Sequence, residues 1–358
     1  MTHKIAVIGA GWYGCHLGAT LVALGFDVSI FERNDDVLSE ASGNNQFRLH
    51  LGFHYARHHR TRIQSRDGFL RFTDRYPDFS RPVEENLYAV ASGKSLIDYA
   101  TYRIIMTSTG VDLMETHSAS IPVTNVDGMV LTDERVLVNE RARAYFRARL
   151  GERIRFGVEI GDVRQDATGV YLDGEQFDYA IDCTWGHLIK PSQPCIYEPT
   201  LLLYYRLKTP GQAFPAFTLV DGPLCSVYPT EDREIFTLSS VPYTPLGKFN
   251  TAAEAVAVRN GVDKNLVFGK QAQMEAQIAE YIPDFEDIFE FADIQRSIKT
   301  KPQGASDDRS CSVSKEGRII SVMSGKIDTI FTASERVLGL LERDISDFGT
   351  IRSTAMGY

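Results

Sequence analysis

A chain of 358 residues, 43% apolar and carrying a formal charge of −9, is longer than one hydrophobic core usually serves, so two domains are expected. The acidic balance excludes the electrostatic footprint of a nucleic-acid binder, and no apolar run is long enough to span a bilayer. Five scattered cysteines, Cys15, Cys183, Cys195, Cys225 and Cys311, without CxxC spacing, argue against both a disulfide framework and a zinc site and read as buried thiols.

The first predicted elements follow almost at once. The N-terminus enters a strand too early to carry a cleavable signal, which points to a cytoplasmic protein. Ile5 to Ile8 is an apolar run of the kind buried in a parallel sheet, and Gly9, Gly11 and Gly14 then fall in the GxGxxG register where a helix begins with Trp12 and Tyr13. Gly9 permits the tight turn, Gly11 lets backbone approach a pyrophosphate, and Gly14 allows the helix to lie close on the strand. Phosphates would sit on the N–H groups of that helix start, where the aligned peptide dipoles amount to about half a positive charge. A second strand, Asp27 to Phe31, ends at Glu32 and Arg33, with the acid placed to accept hydrogen bonds from a ribose.

The segment from Ala41 to Tyr55, ASGNNQFRLHLGFHY, is neither helical nor alternating. Its density of hydrogen-bonding side chains marks it as the lining of a site. An amphipathic helix over residues 61–76 follows and stops at Pro77 and Pro82. Then come a strand at 86–91, a helix at about 95–109 and a strand at 129–131. Asp133 is expected to cap a helix running through Val136 and Leu137 to Leu150, closed by Gly151. Strands are expected at 154–160, 170–172 and 179–182, the last running into Cys183, Thr184, Trp185 and Gly186, a small-residue turn able to present backbone to a dinucleotide.

Stretches 201–207, 216–219, 224–228 and 235–240 read as successive antiparallel strands of a substrate-covering sheet, on which Tyr204, Tyr205, Arg206 and Tyr228 are candidates for the substrate side. A helix at about 270–281 and a strand at 294–300 complete this part. Finally a strand at 318–323, the turn SGKIDT from Ser324 to Thr329 and a helix from Ile330 to Leu341 supply a second strand, glycine turn and helix. The N-terminus of that helix suits the electron-rich end of a reduced flavin.

With these residues on the page, the chain resembles the FAD-dependent oxidoreductases of the D-amino-acid oxidase superfamily over nearly its whole length. The resemblance rests on GxGxxGxxxG with Glu32, the GVEI strand, the DCTWG turn and the glycine turn before the last helix. It implies an α/β fold in which a Rossmann-like FAD-binding domain, residues 1–80, 130–195 and 300–358, is interleaved with a mixed or antiparallel-sheet substrate domain, residues 81–129 and 196–299. It also implies backbone contact of Val158 and Glu159 with adenine, and Gly186 near the pyrophosphate. Gly43, Asn45, His50, Gly52 and Tyr55 match the flavin-facing segment of the L-2-hydroxyglutarate dehydrogenase branch, so Ser42, Asn44, Asn45 and Gln46 join Thr184, Gly325, Lys326, Ile327, Asp328 and Thr329 as expected FAD contacts. Lys326, Ile327 and Asp328 replace the small, glycine-rich turn usual there.

The implied reaction removes hydride from a carbon bearing an amine or hydroxyl, in an amino acid, secondary amine or 2-hydroxy acid. Electrons then pass from flavin to oxygen or another acceptor. His50 is the first candidate for the heteroatom proton, with His54 and Tyr55 behind it, and Arg48 is a candidate partner for a carboxylate or for charge on reduced flavin. Two alternatives stand beside this: a non-redox flavoenzyme such as a sugar mutase, and a nicotinamide-binding protein or a nucleotide-binding module without catalysis. A flavin monooxygenase ranks below them, because neither a GD-containing nucleotide strand nor a second dinucleotide fingerprint is found.

Overall fold

The computed structural model describes residues 2–304 and 309–345, and the chain divides into two compact units. One is formed by Met1–Gly43, Glu140–Cys195 and Arg309–Tyr358, the other by Asn44–Asn139 and Ile196–Asp308. Residues 44–80, 130–139 and 300–304, expected with the first unit, fall in the second. For the first two stretches local pairing explains it, since Arg48–Leu49, Arg135–Leu137 and Ser80–Pro82 form a small three-stranded sheet of their own.

The first unit is built on a six-stranded sheet in the order Ser312–Glu316, Ile319–Met323, Tyr179–Asp182, Lys4–Ile8, Asp27–Glu32 and Ile154–Phe156. All neighbours run parallel except the antiparallel edge strand Ser312–Glu316. Ile5, Ala6, Val7 and Ile8 are almost wholly withdrawn from water, as a central parallel strand covered on both faces must be. Each large side chain so buried contributes about 1.5–3 kcal/mol. The helix Trp12–Ala23 packs close on this strand because a Cβ on Gly14 would lie 1.8 Å from the Gly9 carbonyl oxygen. The strand expected at 154–160 ends at Phe156, where Gly157 turns the chain with φ +68° and Val158 N–H donates to the Glu32 carbonyl instead.

The second unit carries an eight-stranded sheet in the order Phe289–Pro302, Cys195–Leu207, Ile235–Ser240, Cys225–Pro229, Ala216–Val220, Asn86–Ala91, Val126–Leu131 and Met114–Thr116. It is mixed, one of the two forms expected: Ala216–Val220 runs parallel to Asn86–Ala91, while its other neighbour, Cys225–Pro229, is antiparallel. Alternation along these strands sorts the faces. Leu87, Ala89, Leu203, Phe217, Leu219, Val227 and Leu238 belong to an apolar core with Met274 and Ile278 of the helix Lys264–Ala279. The opposite phase is polar: Tyr88, Thr218, Ser226 and Ser239 stand side by side across four strands.

The helix expected from Asp133 does not start there. Val136 and Leu137 are fully buried in the middle strand of the three-stranded sheet, and the helix is Asn139–Leu150. The helix at 252–260 had no place in the sequence reading; Thr251 and Glu254 close it with a capping box.

Two glycines test this packing in opposite directions. Gly14→Ala drives a Cβ into backbone that cannot rotate away and is expected to lower stability by about 3 kcal/mol. Gly339→Ala, within the helix Ile330–Asp344 with nothing inside 4 Å of its Cβ, is expected to raise it by about 0.5–1 kcal/mol. Urea unfolding of both variants checks the pair; a neutral Gly14→Ala would refute the close approach.

Candidate active site

In the first unit three turns leave the sheet at one end. Lys4–Ile8, Tyr179–Asp182 and Ile319–Met323 are parallel and in register, so Gly9–Gly14, Cys183–Gly186 and Ser324–Thr329 all follow carboxyl ends of strands, where open α/β sheets bind ligands. The turns also touch. Tyr13 donates its hydroxyl proton to the Lys326 carbonyl and lies 2.7 Å from Thr329 Oγ1, which in turn is 2.8 Å from Ser324 Oγ. A Cβ on Gly325 would meet the Trp185 indole at 2.5 Å.

These residues fit a dinucleotide. The helix Trp12–Ala23 has no side chain capping its N-terminus from Gly11, and a Cβ on Gly11 would lie 2.7 Å from Ser42 Oγ, which accepts from Trp12 N–H at 3.1 Å. Phosphates would approach the helix start beside the Ser42 hydroxyl, with no side chain on Gly11 in the way. Glu32 is buried at the end of its strand; Oε2 accepts from Ala10 N–H at 2.8 Å and Oε1 from Asn34 N–H and Nδ2 at 2.9 and 2.7 Å. Oε1 thus accepts twice, and Oε2, which accepts from Ala10 N–H, keeps a second lone pair for a ribose hydroxyl. Arg33 pairs with Glu40 at 2.5 Å and approaches the exposed Glu159 at 3.8 Å. In the DCTWG turn, Trp185 and Gly186 both have positive φ, and Thr184 N–H donates 2.8 Å to Asp182, whose carboxyl burial pushes up against that bond. Ile327 and Asp328 begin a short turn of 3-10 helix that leads into Ile330–Asp344, with Asp328 and Lys326 both buried.

The second unit holds the polar segment. Asn45 Oδ1 accepts from Phe47 N–H at 2.6 Å, fixing the bend at which Phe47 takes φ +56°. Gln46, expected on the cofactor, gives its amide to Ser226 and Ser239 of the polar sheet face. Asn44, half-buried, stands at the start of this unit. Arg48 is buried with its guanidinium 4.0 Å over the Tyr228 ring, and Nη1 donates 2.9 Å to the Tyr88 hydroxyl. Tyr88 donates 2.6 Å to Oε2 of Glu134, a carboxyl wholly withdrawn from water, and Glu134 Oε1 accepts from Leu51 N–H at 2.7 Å. His50 Nδ1 lies 3.7 Å from the same Oε1. The His54 and Tyr55 rings are 5.9 and 5.6 Å from that of His50. Arg62 anchors the far end of the segment by donating to the Tyr55 and Ala56 carbonyls at 3.1 and 2.7 Å.

Burial raises the Glu134 pKa, against the pull of Arg48, the Tyr88 and Leu51 hydrogen bonds and His54. Burial also acts to lower the Arg48 pKa, but Tyr88, Tyr228 and Glu134 outweigh it and hold the guanidinium more firmly charged than usual. Burial lifts the Tyr88 and Tyr228 hydroxyls too, so both stay protonated donors.

Two of the substrate-side candidates sit otherwise than expected. Tyr205 belongs to the apolar phase, its ring 5.0 Å from Phe285 and its hydroxyl on Glu275. Arg206 is exposed near Glu234. His59 is exposed, whereas half-buried His58 caps the helix His59–Arg75 by accepting from Thr61 N–H at 3.2 Å. Tyr204 faces the polar side and accepts from Gln295 at 2.6 Å. Glu134 and Tyr88 were missed. For Tyr88 the signal was present in the alternation NLYAVA, with Asn86 and Tyr88 in the polar phase; for Glu134, read as part of a helix start, there was none.

Among the described residues no helix is long and apolar enough to cross a membrane, no group of His, Cys, Asp or Glu side chains is placed to hold a metal ion, and the five cysteines are thiols outside any disulfide, Cys183 and Cys195 being only half-buried.

Comparison with known proteins bears on the same residues. The model of the FAD dependent oxidoreductase family matches residues 4–299. The FAD-dependent monooxygenase FPY4 of Fusarium mangiferae is 55% identical over 340 residues, covering 95% of this chain and 91% of the relative. The FAD-dependent monooxygenase kojA of Aspergillus flavus is 25% identical over 371 residues, with 94% and 85% covered. Glycine oxidase from Geobacillus kaustophilus shares the fold with a TM-score of 0.72 at 14% identity, over 96% of this chain and 95% of that one.

The raised Glu134 has a consequence for stability. The native state binds its proton at pH values where the unfolded chain has released it, so stability is fully present below the unfolded pKa, about 4.3, and is lost as pH rises through the folded value. Asp182 acts with the same sign. Glu134→Gln is expected to make the fall in stability from about pH 4.3 towards neutrality shallower than in the parent. Denaturant titrations across that window measure it, and parallel slopes would contradict the assignment.

Proposed function

The chain belongs to the FAD dependent oxidoreductase family, and on that premise we propose that it removes hydride from a substrate carbon bearing an amine or a hydroxyl, His50 taking the heteroatom proton. The observation that carries the reading is the gathering of the Gly9–Gly14, Cys183–Gly186 and Ser324–Thr329 turns at one end of a parallel sheet. Gly11, Trp12, Tyr13 and Ser42 would hold the pyrophosphate, Glu32 the ribose, Val158 the adenine, and the Gly325–Thr329 turn with the helix that follows it the flavin ring. FAD, when bound, supplies the two-electron acceptor.

The residues of this chain manage the proton. As the C–H bond gives up its electron pair and the C–N or C–O bond gains double-bond character, the proton on nitrogen or oxygen must leave. An imidazole is suited to receive it near neutral pH. His50 is mostly withdrawn from solvent, its side chain 15% exposed, so its nitrogens compete little with bulk water. His54 and Tyr55 pack against it and restrict the ring.

The names of the two fungal relatives favour a second reading, insertion of one oxygen atom into the substrate. That chemistry consumes two electrons from an external donor, for which the sequence offers no second dinucleotide fingerprint. Anaerobic mixing separates the readings. Hydride removal bleaches oxidised flavin with substrate alone, drawn from panels of amino acids, secondary amines and hydroxy acids, whereas oxygen insertion requires a reduced nicotinamide for bleaching. Under the first reading His50→Ala keeps its flavin and loses about 10²-fold in the rate of flavin reduction. An undiminished rate would remove His50 from the role.

A further inference from the structure

We infer that Glu134 is the positioning residue for His50, and that Arg48 acting through Tyr88 keeps Glu134 in place to do so; this rests on the reading of His50 as proton acceptor. Two orientations of an imidazole are related by a ring flip, and only one presents a given nitrogen to substrate. Glu134 Oε1 lies 3.7 Å from Nδ1, so the ring is biased toward the orientation with Nδ1 facing the carboxylate and Nε2 turned to the proton it receives. The same carboxylate offsets the positive charge that develops as His50 accepts the proton.

Glu134 is itself tightly held. Leu51 N–H, one residue beyond His50, donates to Oε1 at 2.7 Å, so the backbone carrying the imidazole is fixed by the atom that faces its ring. Tyr88 donates to Oε2 at 2.6 Å and accepts from Arg48 Nη1 at 2.9 Å, while Asn86 Nδ2 donates to the Glu134 carbonyl at 3.3 Å. Glu134 therefore joins the strand Asn86–Ala91 to the polar segment, at a position with no exposure to water. A wholly buried carboxylate is costly unless its lone pairs are used, and here a cation stands one hydrogen bond away. The charged and titratable groups around the pair are Arg48, Tyr88, Tyr102, Tyr228, His54 and Tyr55. Of these Arg48 is the one permanent charge, and it opposes the effect of burial on Glu134.

The test uses the FAD-loaded protein and reads His50 directly. The imidazole resonances of His50, assigned by their loss in His50→Ala, are followed by NMR against pH in the parent, in Glu134→Gln and in Tyr88→Phe. The titration midpoint is expected to fall by about one unit in Glu134→Gln, and in the same direction by less in Tyr88→Phe, which keeps the carboxylate but strips one donor from it. Flavin reduction should slow by about 10²-fold in Glu134→Gln and recover in part in Glu134→Asp. If Glu134→Gln does not fold, Tyr88→Phe and Glu134→Asp carry the comparison. Midpoints that stay with the parent in the folded variants would overturn the inference. A rate in His50→Ala equal to the parent would instead overturn the proton-acceptor reading, whatever the midpoints do.

Discussion

The buried carboxylate of Glu134 is the constraint on which the second unit turns. An acid with no exposure to water is tolerated only where its oxygens are engaged, and the partners it engages come from parts of the chain far apart in sequence: Leu51, Tyr88 and, through its own backbone, Asn86. Satisfying those oxygens fixes the polar segment against the sheet. It also decides the local structure around residue 134, because a helix starting at Asp133 would turn the side chain away from Tyr88. The strand Arg135–Leu137 is what lets Glu134 point inward while Val136 and Leu137 fill the core.

The first unit depends on a different economy, that of bare backbone. The surface proposed for the cofactor has positions where a side chain has no room: Gly14 against the Gly9 carbonyl, Gly11 against Ser42, Gly325 against Trp185. Parallel strand register brings the three turns to one end, and the hydroxyls of Tyr13, Ser324 and Thr329 tie the first turn to the last. Such a surface reads phosphate and ribose well, because N–H groups and helix dipoles answer to negative charge and hydroxyls in any nucleotide. It carries no information about the molecule to be oxidised.

This difference explains what the sequence disclosed. The GxGxxG turn, Glu32 and the strands at 4–8, 86–91 and 235–240 were legible because short-range sterics and simple alternation determine them. His50 and Arg48 were legible as members of an unusually polar segment. Glu134 was not, since its role arises from a register between Arg48–Leu49 and Arg135–Leu137, two strands about ninety residues apart that local pattern does not pair. The partners of Gln46 were hidden for the same reason: long-range packing put Ser226 and Ser239 beside its amide nitrogen. Tyr205 and Tyr204 are adjacent in sequence and face opposite sides of one sheet, so a candidate list that joined them had to be half mistaken.

The polar phase of the eight-stranded sheet follows from these facts and sharpens them. Sheets normally hide apolar residues and show polar ones to water. Here Tyr88, Thr218, Ser226, Tyr228 and Thr237 alternate with a well-packed apolar core yet are themselves almost fully buried. Hydroxyls kept from water need partners, and Gln46 and Arg48 supply some of them from the polar segment. Segment and sheet face therefore specify each other: stripping the hydroxyls would leave Gln46 and Arg48 as donors without acceptors, and an apolar segment would strand the hydroxyls. An arrangement of that kind confines a pair such as Glu134 and His50 to one geometry without requiring either to be buried by bulk alone, and it leaves the chemistry of the unit in a few side chains whose positions are set by hydrogen bonds rather than by shape.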